Sequence, residues 1–228
     1  MIGGMSWEST ATYYKVINET IKAELGGLHS AKCLLYSVDF ADIERCQTAG
    51  LWDMSADILL DAAHRLELAG ADFIVICTNT MHKVAPRVQA GISIPILHIA
   101  DATADALLAG GIRKTALLGT RYTMTETFYK DRLVAKGIEV LVPEADDLEL
   151  INSVIYNELC IGIISEESKH GYLSILDKLA LRGAAGAVLG CTEIGLLVQQ
   201  RDTSLPLFDT AIIHAQMAAK NALDIYGM

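Results

Sequence analysis

The chain has 228 residues, of which 52% are hydrophobic, and a formal net charge of -10. This length is enough for one large domain or for two domains of about 100 residues each. The acidic charge argues against a nucleic-acid partner, because phosphate binding requires clustered Lys and Arg side chains.

The sequence carries no signal for a membrane or for secretion. Its longest apolar stretches are far below the length of about 20 residues that spans a membrane, and no basic segment with an apolar core opens the chain. The five cysteines have no framework spacing, which is typical of a reduced protein rather than a disulfide scaffold. We expect a cytoplasmic protein with no membrane partner.

Strand-like and helix-like segments alternate along the chain. The predicted strands are a stub at Ile2 and residues 32–38, 73–77, 96–98, 115–118, 139–142, 187–190 and 207–208. The predicted helices are residues 10–25, 55–68, 102–108, 125–136, 148–159, 166–181, 194–199 and 212–225. Short apolar strands that alternate with helices predict an α/β fold, with parallel sheets flanked by helices.

Short-range signals mark where several of these helices begin and end. Asp53 and Asp209 stand where a helix N-cap is expected, since a carboxylate accepts hydrogen bonds from the first backbone N–H groups. Gly70, Gly137 and Gly183 stand where helices are expected to end, because glycine adopts the left-handed conformation without strain. These signals support the alternation of elements.

The sequence repeats itself at a distance of 113 residues. Residues 70–80 align without a gap on residues 183–193, and both pass from Gly-Ala through an apolar run into small polar side chains. A shift of half the chain indicates two related halves rather than a solenoid. We expect two pseudo-symmetric domains, one of residues 1–100 plus 207–228 and one of residues 101–206, with the active site in the cleft between them. Thr78 and Cys191 would then have equivalent positions on its two walls.

The two halves differ at their first strand. Ile2-Gly3-Gly4 resembles Leu118-Gly119-Thr120, but a full strand precedes the second segment and only Met1 precedes the first. We therefore expect the first strand to be short by about four or five residues, given the usual length of strands.

The glycine pair near the N-terminus has two interpretations. Gly3-Gly4-Met5-Ser6 follows a strand stub and precedes a helix, so its backbone N–H groups could hold a carboxylate or could simply form a tight turn. The segment lacks the GxGxxG spacing, and no GxxxxGK[ST] motif occurs. Binding of dinucleotides and nucleoside triphosphates is therefore unsupported.

Two polar clusters follow the repeated strands. In the first, Cys77 should face the core and Thr78 the cleft, since successive side chains of a strand alternate. The Cys-x4-His spacing from Cys77 to His82 is not typical of zinc, so we expect no metal site. In the second, Cys191 lies just ahead of a predicted helix, where a thiol pKa is lowered and a thiolate becomes accessible. A buried, inert cysteine is the alternative.

These segments resemble those of the aspartate/glutamate racemase superfamily. The Gly-Gly-Met opening, the Asn-Thr-x-His segment and the Gly-Cys-Thr-Glu segment carry the resemblance, which covers nearly the whole chain. It implies two pseudo-symmetric α/β domains, a small-molecule partner that is an amino-acid substrate, no pyridoxal phosphate or other cofactor, and two cysteines that exchange the α-proton. A homodimer is left open.

The chain departs from this pattern at one catalytic position. Cys191 matches the second cysteine, but Thr78 stands in place of the first, which is similar to an L-aspartate/glutamate-specific branch. The resemblance places the following residues at the substrate: Met5, Gln47, Asn79, Thr80, Thr192 and Glu193. Candidates for holding the distal carboxylate are Arg45, Arg121 and Lys169, although for each of them the default interpretation is a solvated surface position.

The resemblance implies cofactor-independent racemisation of an acidic amino acid. Two alternatives are a decarboxylase of arylmalonate type that uses only Cys191, and an amino-acid-binding protein descended from a racemase. Polar residues such as Thr78 and Gln47 argue against the apolar pocket of the decarboxylase.

We expect the substitution Thr78→Cys to raise the rate of racemisation, because it supplies a thiol where threonine is a poor base. The two side chains are nearly isosteric, so packing should change little. Chiral chromatography of L- and D-aspartate and glutamate would measure the rate. An unchanged or lower rate would mean that Thr78 performs a task that a thiol cannot.

Overall fold

The structure, a computed structural model, describes residues 1–227 and divides into two compact units. The first unit contains Met1–Ile99 together with the chain from Ala211 onward, and the second contains Ala100–Thr210. Each is an α/β structure in which the paired strands are parallel and helices flank them, as predicted. No helix in the described part of the chain is both long enough and apolar enough to cross a membrane.

The first unit contains four very short strands. They are β1 (Ile2–Gly3), β2 (Tyr36–Ser37), β3 (Ile74–Val75) and β4 (Ile96–Leu97). Strand β1 pairs with β2 and β3 pairs with β4, while a single parallel bridge between Ile2 and Ile76 connects the two pairs. The strand predicted for residues 32–38 is thus a strand only at residues 36 and 37.

Helices of the first unit cover both faces of these strands. Four of them are α1 (Trp7–Leu25), α2 (Phe40–Thr48), α3 (Trp52–Leu68) and α4 (Ala85–Ala90), and a 3-10 helix spans Thr80–Val84. Ile74 and Ile76 pack on the face of α3 and α4, whereas Val75 and Cys77 pack on the face of α1. The side chains of this strand therefore alternate between two apolar cores.

The second unit contains a continuous parallel sheet in the order β6-β5-β7-β8. Its strands are β5 (Lys114–Gly119), β6 (Glu139–Leu141), β7 (Gly186–Gly190) and β8 (Leu207–Asp209). Its helices are α5 (Ile99–Ala109), α6 (Arg121–Thr125), α7 (Thr127–Ala135), α8 (Ala145–Asn157), α9 (Glu166–Leu181) and α10 (Ile194–Leu197). Strand β8 pairs with β7, so Leu207 belongs to this unit and not to the first, where the sequence analysis placed it.

Several predicted boundaries are corrected by the structure. Helices α2, α4 and most of α6 were not predicted. The helix predicted for residues 125–136 is α7, which begins after Glu126, where the backbone is extended. Asp53 does not cap α3, which begins after Leu51, and its carboxylate instead pairs with Arg87. The three glycines predicted to end helices do follow α3, α7 and α9 and have positive φ angles.

The last helix, α11 (Thr210–Tyr226), completes the first unit. Buried His214 on this helix joins three elements: its Nε2–H donates to Leu97 O at 2.8 Å, and its Nδ1 accepts from the Tyr13 hydroxyl at 2.8 Å. Both ring nitrogens of the neutral imidazole are satisfied. Burial lowers the pKa of His214 to about 4.

We expect stability to fall as the pH drops from about 6.5, the ordinary pKa of histidine, to about 4. In this window the unfolded chain binds a proton at His214 and the folded chain does not, which favours unfolding by up to about 3 kcal/mol. Urea unfolding at several pH values would measure the slope. The variant His214→Gln should be less stable at neutral pH, but its stability should depend less on pH in this range. If the free energy of unfolding falls equally steeply with pH in the two proteins, His214 is not the group responsible.

Candidate active site

The carboxyl end of β7 positions the candidate catalytic cysteine. Strands β5 and β7 run in register up to Gly119 opposite Gly190. A Cβ atom on Gly119 would lie 2.9 Å from Gly190 O, and one on Gly190 would lie 2.8 Å from Leu118 O. Only glycines permit this close approach. Cys191 follows directly at the end of the strand.

Cys191 forms a hydrogen-bonded group with the two residues that follow it. Its thiol donates to Glu193 Oε2 at 3.0 Å, and the Thr192 hydroxyl donates to the same oxygen at 2.7 Å. The Cys191 side chain is only 9% exposed and Glu193 is buried. A buried carboxylate therefore lies against the thiol and accepts from it.

This environment raises the pKa of the Cys191 thiol well above its ordinary value. Burial is the largest cause, and the negative charge of Glu193 is the next. The backbone N–H of Glu193 acts in the opposite direction by donating to the sulfur. The prediction that a helix N-terminus lowers this pKa is wrong here, because α10 has only four residues and desolvation dominates.

The corresponding segment of the first unit follows β3. Cys77 is fully buried, and burial raises the pKa of its thiol to about 12, so it is a core residue as predicted. Thr78 is half-buried and its backbone N–H donates to Ile76 O at 2.9 Å. The alternation of side chains thus separates a fully buried thiol from a half-buried threonine.

His82 holds the Thr78 segment in place. Its Nδ1–H donates to Thr78 O at 2.8 Å, and its Nε2 accepts from the backbone N–H of Ile99 at 3.2 Å. The side chain is completely buried. Because both ring nitrogens have partners, His82 positions the backbone around Thr78.

Ser9 and Thr10 form further contacts that the sequence analysis missed. The Ser9 hydroxyl donates to Cys77 O at 3.0 Å, and Thr10 Oγ1 accepts from the Gly4 N–H at 2.8 Å. The sequence did contain a signal for these contacts: two hydroxyl residues stand in the first turn of a helix that follows a glycine pair. Since Gly4 N–H has this partner, the glycine pair is better described as a tight turn than as an anion site.

The remaining first-unit candidates lie close to Met81. Gln47 Nε2 donates to Met81 Sδ at 3.1 Å, and Met5 belongs to the same apolar core as Met81. Asn79 and Thr80 precede Met81 in the chain and are buried. The structure thus groups Met5, Gln47, Asn79 and Thr80 in the first unit, and Cys191, Thr192 and Glu193 in the second.

The three cationic candidates for the distal carboxylate all have acidic partners. Arg45 pairs with Asp42, Arg121 pairs with Glu149, and Lys169 Nζ lies 2.9 Å from Asp202 Oδ1. None of the three contacts identifies a substrate-binding cation. Among residues 1–227, no group of three or more His, Cys, Asp and Glu side chains is arranged to hold a metal ion.

The profile of the Asp/Glu/hydantoin racemase family matches residues 2–218. The chain belongs to this family. A candidate Asp/Glu racemase from Yersinia pestis is 56% identical and has a TM-score of 0.92, with 97% of each chain covered. An aspartate racemase homologue from Pyrococcus horikoshii OT3 is 36% identical and has a TM-score of 0.84, with 97% of this chain and 96% of that chain covered.

More distant racemases extend the comparison. The aspartate racemase of Picrophilus torridus shares the fold, with a TM-score of 0.73 and 18% identity, over 100% of this chain and 97% of that chain. The broad-specificity amino-acid racemase RacX of Bacillus subtilis is 34% identical over 83 residues, which are 36% of this chain and 36% of RacX. The chain thus spans little more than a third of RacX. These relatives are racemases, a class of isomerases.

We expect the substitution Glu193→Gln to accelerate alkylation of Cys191 by iodoacetamide severalfold, because removing the charge of Glu193 lowers the pKa of the thiol and raises the thiolate fraction. The substitution removes the negative charge beside the thiol but leaves its burial unchanged. Mass spectrometry of the modified peptides would measure the rate. The exposed Cys33 supplies an internal reference, and an exposed carboxylate variant, Glu166→Gln, supplies the control. A rate that does not change would show that Glu193 has no influence on the thiol.

Proposed function

We propose that this protein racemises an acidic amino acid, aspartate or glutamate, without a cofactor and with a preference for the L-form. The observation that carries the proposal is the hydrogen-bonded pair of Cys191 and Glu193 at the end of β7. Membership of the Asp/Glu/hydantoin racemase family supports the class of reaction. Because the relatives are racemases, the decarboxylase alternative is not favoured.

Glu193 orients Cys191 by accepting the hydrogen bond of its thiol. The thiol releases its proton to solvent, which leaves a thiolate to which the backbone N–H of Glu193 donates. The thiolate then removes the α-proton of the substrate and becomes a thiol again, while the electron pair stays on the substrate as a carbanion. An ammonium group of a bound amino acid would favour the thiolate further, since an opposite charge within about 4–6 Å favours the charged form.

Thr78 delivers the proton to the other face of the carbanion, directly or through a water molecule. Its hydroxyl can donate, but it does not ionise near neutral pH and is therefore a poor base. Water restores the proton of Thr78, and the hydroxide that remains is neutralised by the proton that Cys191 released. This asymmetry is the basis for the proposed L-preference, since Cys191 is the better base of the two.

The proposed substrate contacts are Met5, Gln47, Asn79, Thr80 and Thr192, as the family resemblance implies. The substrate class is drawn from the named relatives, one of which is an aspartate racemase homologue. The broad specificity of RacX is a reason to test other amino acids as well. Before Arg45, Arg121 or Lys169 could bind the distal carboxylate of the substrate, it would have to break the ion pair with its acidic partner.

We expect the substitution Cys191→Ala to lower kcat/KM by about 10²- to 10⁴-fold, the usual contribution of a general acid–base group. Folding should survive, because the loss of a few buried atoms typically costs about 1 kcal/mol. Incubation of L- and D-aspartate and glutamate in heavy water, followed by NMR and chiral chromatography, would measure proton exchange and inversion together. The Cys33→Ala variant controls for the loss of a thiol elsewhere.

In the unsubstituted protein, solvent label should enter the remaining L-substrate faster than the remaining D-substrate, because the carbanion is often reprotonated by Cys191. Equal labelling of both enantiomers would show two equally competent bases and would remove the distinct role of Thr78. A folded Cys191→Ala protein with undiminished exchange would overturn the mechanism. The same assay with other L-amino acids distinguishes an acidic from a broad specificity.

A further inference from the structure

Residues 191–195 form the thiol turn, which leads from β7 through Cys191 into α10. Strand β8 pairs with β7 so that Asp209 lies opposite Leu189. A Cβ atom on Gly195, the second residue of α10, would lie only 2.5 Å from Oδ2 of Asp209. The carboxylate of Asp209 therefore lies directly against the backbone of α10, and the thiol turn is in contact with the end of the neighbouring strand.

Helix α10 is too short to hold this position by itself. It has four residues, whereas an isolated helix is only marginally stable even at about 12–15 residues. Ile194 and Leu197 are buried in the apolar core of the second unit and fix one side of the helix. The contact of Asp209 with Gly195 ties another side of it to β8. The position of α10 therefore depends on its contacts with the rest of the unit.

The residue after β8 holds the end of β7, from which the thiol turn starts. The Thr210 hydroxyl donates to Leu189 O at 2.8 Å in a buried position. Within the turn, the backbone N–H of Ile194 donates to Cys191 O at 3.1 Å. The thiol and the backbone N–H of Glu193 thus lie between two points, both of which are attached to the end of β8.

The repeat places the same two positions in contact in the first unit. At the shift of 113 residues, Gly195 corresponds to His82. At a shift of 111 residues, which aligns β4 with β8, Asp209 corresponds to His98. The rings of His82 and His98 lie 4.5 Å apart between their centroids, and His82 donates to Thr78 O at 2.8 Å. In the first unit, this contact joins the end of β4 to the segment of Thr78.

We propose that Asp209 is a positioning residue for proton transfer at Cys191, and that it acts through Gly195. The inference rests on the proposed function of Cys191. The carboxylate of Asp209 holds α10 against the end of β8, and α10 in turn fixes the direction of the thiol and of the Glu193 N–H. Only glycine at position 195 permits the contact, because a Cβ atom cannot lie 2.5 Å from an oxygen atom.

Asp209 performs this role by its size and shape rather than by its charge. The group against which its carboxylate lies is the backbone of a glycine, whose Cα–H is only a weak hydrogen-bond donor. Asparagine has almost the same size and retains an oxygen atom, so it should preserve the contact. Alanine should not, because it leaves a gap between β8 and α10 into which the helix can move.

The first test compares Asp209→Ala and Asp209→Asn with the unsubstituted protein. Asp209→Ala should lower kcat for aspartate or glutamate by about 10- to 100-fold with KM nearly unchanged, since a displacement of about 1 Å can cost a factor of 10². It should also accelerate alkylation of Cys191 by iodoacetamide severalfold relative to Cys33, because a released turn exposes the thiol. Asp209→Asn should resemble the unsubstituted protein in both measurements. Equal effects of the two substitutions would overturn the proposal.

The second test approaches the same contact from the side of the helix. Gly195→Ala places a Cβ atom against Oδ2 of Asp209 and should lower kcat about tenfold, a coupling typical of residues in contact. In the Asp209→Ala protein this space is vacant, so the same substitution should change kcat less than about twofold. Gly171→Ala on α9 is the control, because its Cβ would meet Leu150 Cδ2 at an ordinary 3.4 Å. Additive losses from the two substitutions would overturn the proposal.

Alkylation of Cys191 does not depend on racemisation, so the two proposals can fail separately. A protein without racemase activity that still shows the expected alkylation of its Asp209 and Gly195 variants would disprove the proposed function and support the positioning role. An Asp209→Ala protein with the unsubstituted kcat and the unsubstituted rate of alkylation would overturn the positioning role and leave the proposed function intact.

Discussion

The close contact of β5 with β7 at Gly119 and Gly190 is the constraint on which the second unit depends. Two glycines at the carboxyl ends of adjacent parallel strands let the backbones approach where side chains would clash. The register places Cys191 one residue beyond the end of β7, where the chain leaves the sheet. The carboxyl edge of a parallel sheet is where α/β proteins present their reactive groups.

Cys191 is subject to two opposing demands. Its burial makes it part of the core around β7 and raises the pKa of the thiol, yet the proposed proton abstraction requires the thiolate. The carboxylate of Glu193 disfavours the thiolate by its charge, and it holds the thiol in place by accepting a hydrogen bond at 3.0 Å. The Glu193 N–H favours the thiolate by donating to it. One residue therefore acts on the thiol in both directions.

The first unit holds Thr78 by contacts from distant parts of the chain. Its carbonyl accepts from His82, and the preceding carbonyl of Cys77 accepts from Ser9 on α1. His82 also contacts Ile99 and packs near His214, which in turn joins α11 to β4 and α1. A buried polar network of this kind specifies one arrangement, because each lost partner leaves an unsatisfied group.

By itself, the sequence determined the α/β class, the two repeated strand ends, and the separation of Cys77 in the core from Thr78, which is half-buried. These features follow from local rules: the alternation of side chains, the periodicity of helices and the conformational freedom of glycine. Tertiary structure alone decided the direction of the Cys191 pKa shift, the use of Gly4 N–H by Thr10, and the acidic partners of Arg45, Arg121 and Lys169. It also decided that β8 belongs to the second unit. The physical reason is that burial, charge and hydrogen-bond partners depend on residues far apart in the chain, such as Tyr13 and His214, whose contact no local pattern encodes.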